Sequence, residues 1–341
     1  MPGAGSSLEA AALVPAPLSR FFAERFFMPR IGLSDLDVFP LNLGGNVFGW
    51  TADKQASFDI LDAYAGGGGN FIDTSDSYSA FVPGNHGGES ETIIGEWIAK
   101  RGSHDDLVVA TKVSRHPDFL GLKAANIRAA AEASLGRLGV DSIDLYYAHF
   151  DDADTPLEES AEAFDALVRA GKVRYYGLSN YSPERIRQWL DIADANGFVR
   201  PVALSPQYNL VHRNDFEETL APIAAAENLG VLPYYALASG FLTGKYRAPD
   251  DNAGAARSKG ASKYATPLGL AVIDALEEIG AAHEASITTT ALAWLLAKPT
   301  VVAPIASASR ADQVPDLLAV AAVTLTPEEV ARLDDVSTWK P

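Results

Sequence analysis

Between Leu41 and Ala306, short apolar runs of strand length alternate with longer stretches of helical periodicity, and this rhythm limits the chain to very few folds. Strands are predicted at 41–45, 71–75, 107–113, 143–149, 173–179, 202–208, 231–237 and 300–306. Helical patterns fall between them at 53–65, 89–100, 123–137, 157–170, 183–195 and 215–228, with a pair at 267–283 and 287–298. A last pair at 310–320 and 327–335 closes the chain. Strands separated by whole helices cannot pair as hairpins, so the sheet is expected to be parallel. Eight such units are the number that closes a (β/α)8 barrel of the TIM type, in which function gathers on the loops that leave the carboxyl ends of the strands. Met28 to Pro40 holds two apolar segments around Ser34-Asp35, which predicts an N-terminal β-hairpin ahead of the barrel.

An open doubly wound sheet is the rival architecture, but it calls for a phosphate loop after the first strand, and Leu43-Gly44-Gly45-Asn46 lacks G-x-G-x-x-G spacing. The run Gly66 to Gly69 follows a helix and precedes a strand, so it reads as a helix stop on the opposite face. At 341 residues and 48% apolar content, with no Pro/Gly/Ser-rich linker of domain size, one large domain over 28–341 is expected. Residues 1–27 form an extension: 1–17 carry no periodic signal, while Phe21, Phe22, Phe26 and Phe27 predict a short amphipathic helix over Leu18 to Phe27. The formal charge of −17 argues against nucleic acid or an anionic membrane surface as partner. No cysteine is present, so disulfides, thiolate nucleophiles and Cys-ligated zinc are excluded. The six histidines have no metal-ligand spacing, and the acidic run Asp151-Asp152-Ala153-Asp154 reads as a solvated helix start. Apolar runs fall short of the roughly 18 residues that span a bilayer, so a cytoplasmic protein is expected, either monomer or homo-oligomer.

Three strand ends carry chemistry. Asp73 closes the second strand, with Tyr78 in the loop after it; Lys112 lies near the end of the third and His149 near the end of the fourth. Read singly, Asp73 is a turn residue, Tyr78 packing, Lys112 a snorkelling lysine and His149 a satisfied core histidine. Taken together they make an acid, a phenol, an amine and an imidazole, which is a proton-transfer set.

The motifs Asp73-Thr-Ser-Asp-Ser-Tyr78, Ala110-Thr-Lys112-Val, Asp144-Leu-Tyr-Tyr-Ala-His149, Gly171-Lys-Val-Arg-Tyr-Tyr-Gly-Leu-Ser179-Asn180, Gln207-Tyr-Asn and Gly240-Phe-Leu-Thr-Gly-Lys245-Tyr resemble the aldo-keto reductase superfamily. The match runs in the family's order from about 28 to about 320. The resemblance implies a catalytic tetrad of Asp73, Tyr78, Lys112 and His149 and an NADPH-dependent reduction of an aldehyde or ketone to an alcohol. Tyr78 is the expected proton donor. Lys112 is expected to lower the phenol's pKa, Asp73 to hold the ammonium charged, and His149 to orient the carbonyl.

By the same resemblance, Ser179, Asn180 and Gln207 hydrogen-bond the nicotinamide carboxamide, and Tyr234 stacks on its ring. Gly45, Asn46 and Asp73 are expected beside the cofactor from the first two strands. The long loop from Ala238 to Pro267 is a candidate lid over the pyrophosphate, with Leu237, Ser239 and Lys245 as contacts. Ser307, Ser309, Gln313 and Asp316 stand where the family binds the adenine ribose. Two departures are that Ser307 occupies a position usually Gly or Lys, and that Asp316-Leu317 replaces a Glu-Asn pair. Arg257, Lys245 or Arg310 is available to a 2′-phosphate, which favours NADPH, with NADH as the alternative. Tyr234 or Tyr235 packing under the loop is the competing assignment.

Phe48, Trp50, Phe81, His116 and Phe150 surround the tetrad in sequence and are the expected walls of a pocket for a moderately sized carbonyl substrate. Two other functions stay open on these residues. One is an NADP(H)-binding regulatory or redox-sensing subunit with slow chemistry, as in channel-associated members of the family. The other is a (β/α)8 aldolase using Lys112 as a Schiff base, for which a lysine held charged by Asp73 is a poor nucleophile.

Overall fold

A computed structural model describes residues 28–248, 251 and 254–338; the helix predicted over 18–27 lies outside them. Eight parallel strands form the sheet: β1 (Asn42–Gly44), β2 (Phe71–Asp73), β3 (Val108–Val113), β4 (Ile143–Ala148), β5 (Val173–Ser179), β6 (Ala203–Ser205), β7 (Gly230–Val231) and β8 (Ile305–Ala306). Each pairs with its successor from β1 to β7, and β8 pairs with β1. The ring closes through a parallel Val231–Val301 bridge, with Val231 N–H donating to Thr300 O at 2.8 Å and Val302 N–H to Val231 O at 2.9 Å. The fold is a (β/α)8 barrel.

Side chains alternate across each strand, so every second residue enters the barrel. Phe71, Val108, Ala110, Leu145, Tyr147, Ala203 and Leu232 form an inner cluster, and Ile31, Leu36 and Val38 of the N-terminal segment join it as a plug. The predicted hairpin is present, with Arg30 bridging Asp37 and Ile31 N–H donating to Leu36 O. Its Gly32 is held at φ +51°, and a Cβ there would lie 2.4 Å from Val202 O, so only glycine lets the hairpin seat against the barrel floor.

The helices pack outside, and their ends follow their caps. Asp53 caps α1 (Lys54–Gly66) by accepting from Ala56 N–H, and the chain leaves it through Gly67 and Gly68, consistent with a helix stop. Tyr64 on α1 donates to Leu41 O at 2.6 Å and fixes the helix over β1 and β2. The stretch predicted as one helix over 215–228 is instead a π-helical turn (Phe216–Leu220) followed by a short α-helix (Ala221–Ala226). Pro222 at the junction has no N–H to give the i−4 carbonyl, so the regular ladder cannot run through it. Pro315 similarly accompanies the division of 310–320 into short 3₁₀ and α segments. A small antiparallel ribbon, Arg115–His116 with Phe119–Leu120, follows β3 and has no counterpart in the sequence prediction.

Candidate active site

Parallel pairing sets β2, β3 and β4 side by side, and the register brings Asp73 opposite Ala110 and Lys112 opposite Tyr147. Lys112, two residues beyond Ala110, therefore points into the barrel one layer above the apolar cluster. Its Nζ lies 2.6 Å from each carboxylate oxygen of Asp73, 2.6 Å from Thr74 O and 3.0 Å from Tyr78 Oη. Asp73 and Lys112 are both buried. Burial raises the carboxylate's pKa and lowers the ammonium's, and in each case the partner's opposite charge works against that shift. Such a pair survives in the interior because every Lys112 donor is satisfied.

The phenol does not fall below its ordinary pKa beside Lys112, because the rest of its surroundings outweigh that charge. Burial first, and then the Asp73 charge, hold Tyr78 well above its ordinary value. At neutral pH it is a neutral phenol carrying its proton. His149 is pushed the other way, well below an ordinary imidazole, by burial and then by the Lys112 and Arg115 charges. It is neutral too. Its ring stands edge-on to Tyr78 with centroids 6.2 Å apart, and its Nδ1 is 3.4 Å from Ser75 Oγ.

These side chains open onto a cavity of about 560 Å³, whose walls continue through the loops after β5 to β8. That size falls in the usual range for small-molecule and cofactor sites. Of the sequence-predicted residues, Asn46, Asp73, Tyr78, Lys112, His149, Phe150, Ser179 and Asn180 line it, and so do Tyr234, Leu237, Ser239, Lys245, Arg257, Ser307, Ser309, Gln313 and Asp316. Asn180 occupies the left-handed region at φ +57°, a conformation that asparagine tolerates better than most residues. Its amide donates to His149 O at 2.8 Å and its Oδ1 accepts from Tyr234 Oη at 2.7 Å. On the far wall, Asn46 Oδ1 accepts from Ser307 Oγ at 2.6 Å and from Arg257 at 3.2 Å. Arg257 thus crosses from the long loop to the loop after β1.

Other predicted positions lie elsewhere. Phe48 is fully buried, packs in the outer core and is not among the residues that line the cavity. His116 is also corrected: it is buried, its ring abuts Gly87, and it packs on Phe119 at 5.1 Å. Both follow barrel strands in sequence, but Phe48 joins the outer core and His116 sits in the small ribbon against Phe119 and Gly87. Trp50 and Phe81 pack edge-to-face at 5.1 Å outside the cavity lining, and Arg257, which lines it, stacks 5.5 Å above Trp50. The walls omit Gly45, whose N–H is spent on Asp73 O, and include Gly44 in its place. They also omit Gln207, which is bridged to Tyr234.

The sequence reading missed Ser205, Tyr235, Thr243 and Thr288, which line the cavity as well. Ser205 closes β6 and was open to discovery by its place at a carboxyl strand end; its buried Oγ has no partner among the described residues. Thr288 comes from a helix start distant in sequence and gave no signal. Among the described residues no group of three His, Asp or Glu side chains is placed to hold a metal, and no helix is long and apolar enough to cross a membrane.

A model of the Aldo/keto reductase family matches residues 40–338. The chain is 35% identical over 318 residues to "Uncharacterized oxidoreductase YrpG" of Bacillus subtilis (strain 168), covering 90% of this chain and 94% of that one. It is 31% identical to "Norsolorinic acid reductase stcV" of Emericella nidulans, over 96% of this chain and 84% of the other. It is also 32% identical to "Putative voltage-gated potassium channel subunit beta" of Schizosaccharomyces pombe, over 91% and 93%.

Proposed function

Because the chain belongs to the aldo/keto reductase family and is an oxidoreductase, we propose that it reduces an aldehyde or ketone to the alcohol with NADPH, using Tyr78 as general acid. The observation that carries this is the placement of Tyr78 Oη on the cavity wall, accepting from Lys112 at 3.0 Å while its own proton is held for donation.

The residues present suit a nicotinamide dinucleotide. Ser205 and Tyr234 both line the cavity, and the buried Ser205 Oγ has no partner among the described residues, as a carboxamide site requires. Lys245 and Arg257 supply positive charge for phosphates, which supports NADPH over NADH. When bound, the cofactor supplies a hydride to the carbonyl carbon. The chain's own part is to meet the negative charge that develops on the carbonyl oxygen. Tyr78 gives its proton to that oxygen, Lys112 stabilises the phenolate left behind, and Asp73 keeps Lys112 in place. Neutral His149 fixes the carbonyl's direction. Phe150 is the predicted substrate-wall residue that lines the cavity.

The test is NADPH consumption by the purified full chain with 4-nitrobenzaldehyde and a panel of ketones and dicarbonyls, repeated with NADH. Turnover with NADPH that Tyr78→Phe abolishes supports the reading. The relatives named as channel subunits favour a second one, an NADP(H)-binding regulatory protein. Tight NADPH binding without turnover of any carbonyl on the panel would select it instead.

A further inference from the structure

The loop that delivers Tyr78 holds two polar residues with no part in the reduction as described so far. Ser75 Oγ lies 3.4 Å from His149 Nδ1 and 3.2 Å from Asp76 Oδ1, and it accepts from Ser77 N–H at 3.3 Å; Ser77 Oγ is 3.1 Å away. Asp76 is fully buried, and its Oδ2 has no partner among the described residues. A hydroxyl has one proton and two lone pairs. With one lone pair taken by Ser77 N–H and the Ser77 hydroxyl turned to Asp76, one proton and one lone pair remain to be divided between Asp76 and His149.

The division depends on the state of Asp76. An ionised carboxylate only accepts, so the Ser75 proton goes to it; Nδ1 of His149 must then donate to Oγ, and the neutral ring keeps a bare lone pair on Nε2. A carboxyl protonated on Oδ1, the oxygen beside Ser75, donates to Oγ instead. Ser75 then donates to Nδ1, and the ring proton sits on Nε2, which has no protein partner among the described residues and belongs to a ring that lines the cavity. Passing between the two states moves the ring proton between nitrogens through solvent and releases one proton from Asp76.

We propose that Asp76 and Ser75 set the tautomer of His149, so that Nε2 donates to a substrate carbonyl only while Asp76 is protonated. The proposal rests on the carbonyl-reductase reading of this site. Both are positioning residues, since neither is assigned a contact with substrate. The groups around Asp76 make the switch relevant near neutrality: burial first, and then the Glu91 charge, raise it to about 8, against the Ser75 and Ser77 hydroxyls and the Arg137 charge. Lys112 and the buried Tyr146 hydroxyl also face it. His149 itself, held neutral by burial, Lys112 and Arg115, has a tautomer to choose.

The test is ¹⁵N NMR of the His149 ring in the full chain without cofactor or substrate, paired with kcat/KM for NADPH-dependent reduction across pH. In the wild type the ring is expected to carry its proton on Nε2 at pH about 7 and to pass to Nδ1 with a midpoint near Asp76's own, while kcat/KM falls about tenfold per pH unit above it. Asp76→Asn, whose amide cannot ionise and can present an N–H to Ser75 at every pH, is expected to keep the proton on Nε2 throughout and to lose the alkaline fall. Ser75→Ala is expected to uncouple the tautomer from pH. A wild-type ring that shows one tautomer at both ends, or Asp76→Asn retaining the exchange, overturns the proposal. An alkaline fall unchanged in Asp76→Asn overturns its link to turnover. Activity that survives Tyr78→Phe would instead refute the general-acid reading and leave the tautomer measurement standing.

Discussion

Tyr78 donates its hydroxyl proton to Asp73 Oδ2 across 3.2 Å while accepting from Lys112, so the phenolic proton is engaged by the carboxylate. A carbonyl oxygen arriving at Tyr78 competes with a carboxylate for that proton. The carboxylate is already tied to Lys112 through both oxygens, which lowers its claim. Tyr78→Phe should therefore cut kcat by about 10²-fold or more while leaving the Kd for NADPH within about twofold. Fluorescence titration and steady-state kinetics on one preparation check both halves, and a mutant with undiminished kcat would remove Tyr78 from its role.

Lys112→Met leaves Asp73 buried without its counter-charge. Breaking a buried pair by removing one partner typically costs about 3–5 kcal/mol, whereas replacing both is often near neutral. The single mutant should be markedly destabilised in urea unfolding, and Asp73→Asn/Lys112→Met should recover most of the loss. A double mutant as unstable as the single one would show that the pair's geometry, rather than the stranded charge, matters.

Asp76 sets a pH dependence of stability. Its folded pKa, about 8, lies above the ordinary carboxyl value, so between roughly pH 4 and 8 the folded chain holds a proton there that the unfolded chain has lost. Stability from this group is complete below the unfolded pKa and declines as pH rises through the window, by at most about 1.4 kcal/mol per unit. Asp76→Asn should flatten the difference between urea unfolding at pH 5 and at pH 8. Equal slopes in mutant and wild type would place Asp76 in a more polar setting.

Arg257 reaches across the cavity to Asn46 and stacks on Trp50. If its charge meets a cofactor phosphate, Arg257→Ala should weaken NADPH by about tenfold or more, the worth of one charge-assisted hydrogen bond. Titrations with NADPH and NADH decide whether the loss is specific to the 2′-phosphate: NADH affinity falling in step would move the contact to the pyrophosphate.

Buried Glu91 pairs with half-buried Arg137 beside the Tyr78 loop, at 2.6 Å, with Thr111 Oγ1 donating to the same carboxylate. Arg137→Met should destabilise the chain by several kcal/mol for the same reason as Lys112→Met. Because it also removes a charge that lowers the pKa of Asp76, the alkaline loss of activity should move to higher pH. A shift to lower pH would contradict the assignment.

Periodicity carries the elements, because a helix or strand that buries one face must repeat its apolar residues at that element's spacing. Eight strands with helices between them were therefore legible, and so was the hairpin around Ser34-Asp35. Asp73, Tyr78, Lys112 and His149 were legible because a barrel directs the carboxyl ends of its strands to one face. Phe48 was misplaced because a loop has no period and the direction of a loop side chain follows from what packs against it, and His116 because it belongs to a two-residue ribbon strand too short to show one. The breaks at Pro222 and Pro315 had a visible cause in the sequence, yet their effect on helix length was read only from the structure.

By itself the sequence determined the order of the strands, the face on which they end and the residue types delivered there, since these depend on local spacing and chain connectivity. Only the tertiary structure decided which polar groups share a proton. Burial of Tyr78, Asp76 and His149, and the few ångströms between Ser75 and its neighbours, arise from packing between segments far apart in sequence, 74 positions for Ser75 and His149. Protonation follows solvation and nearby charge, neither of which is a property of neighbouring letters.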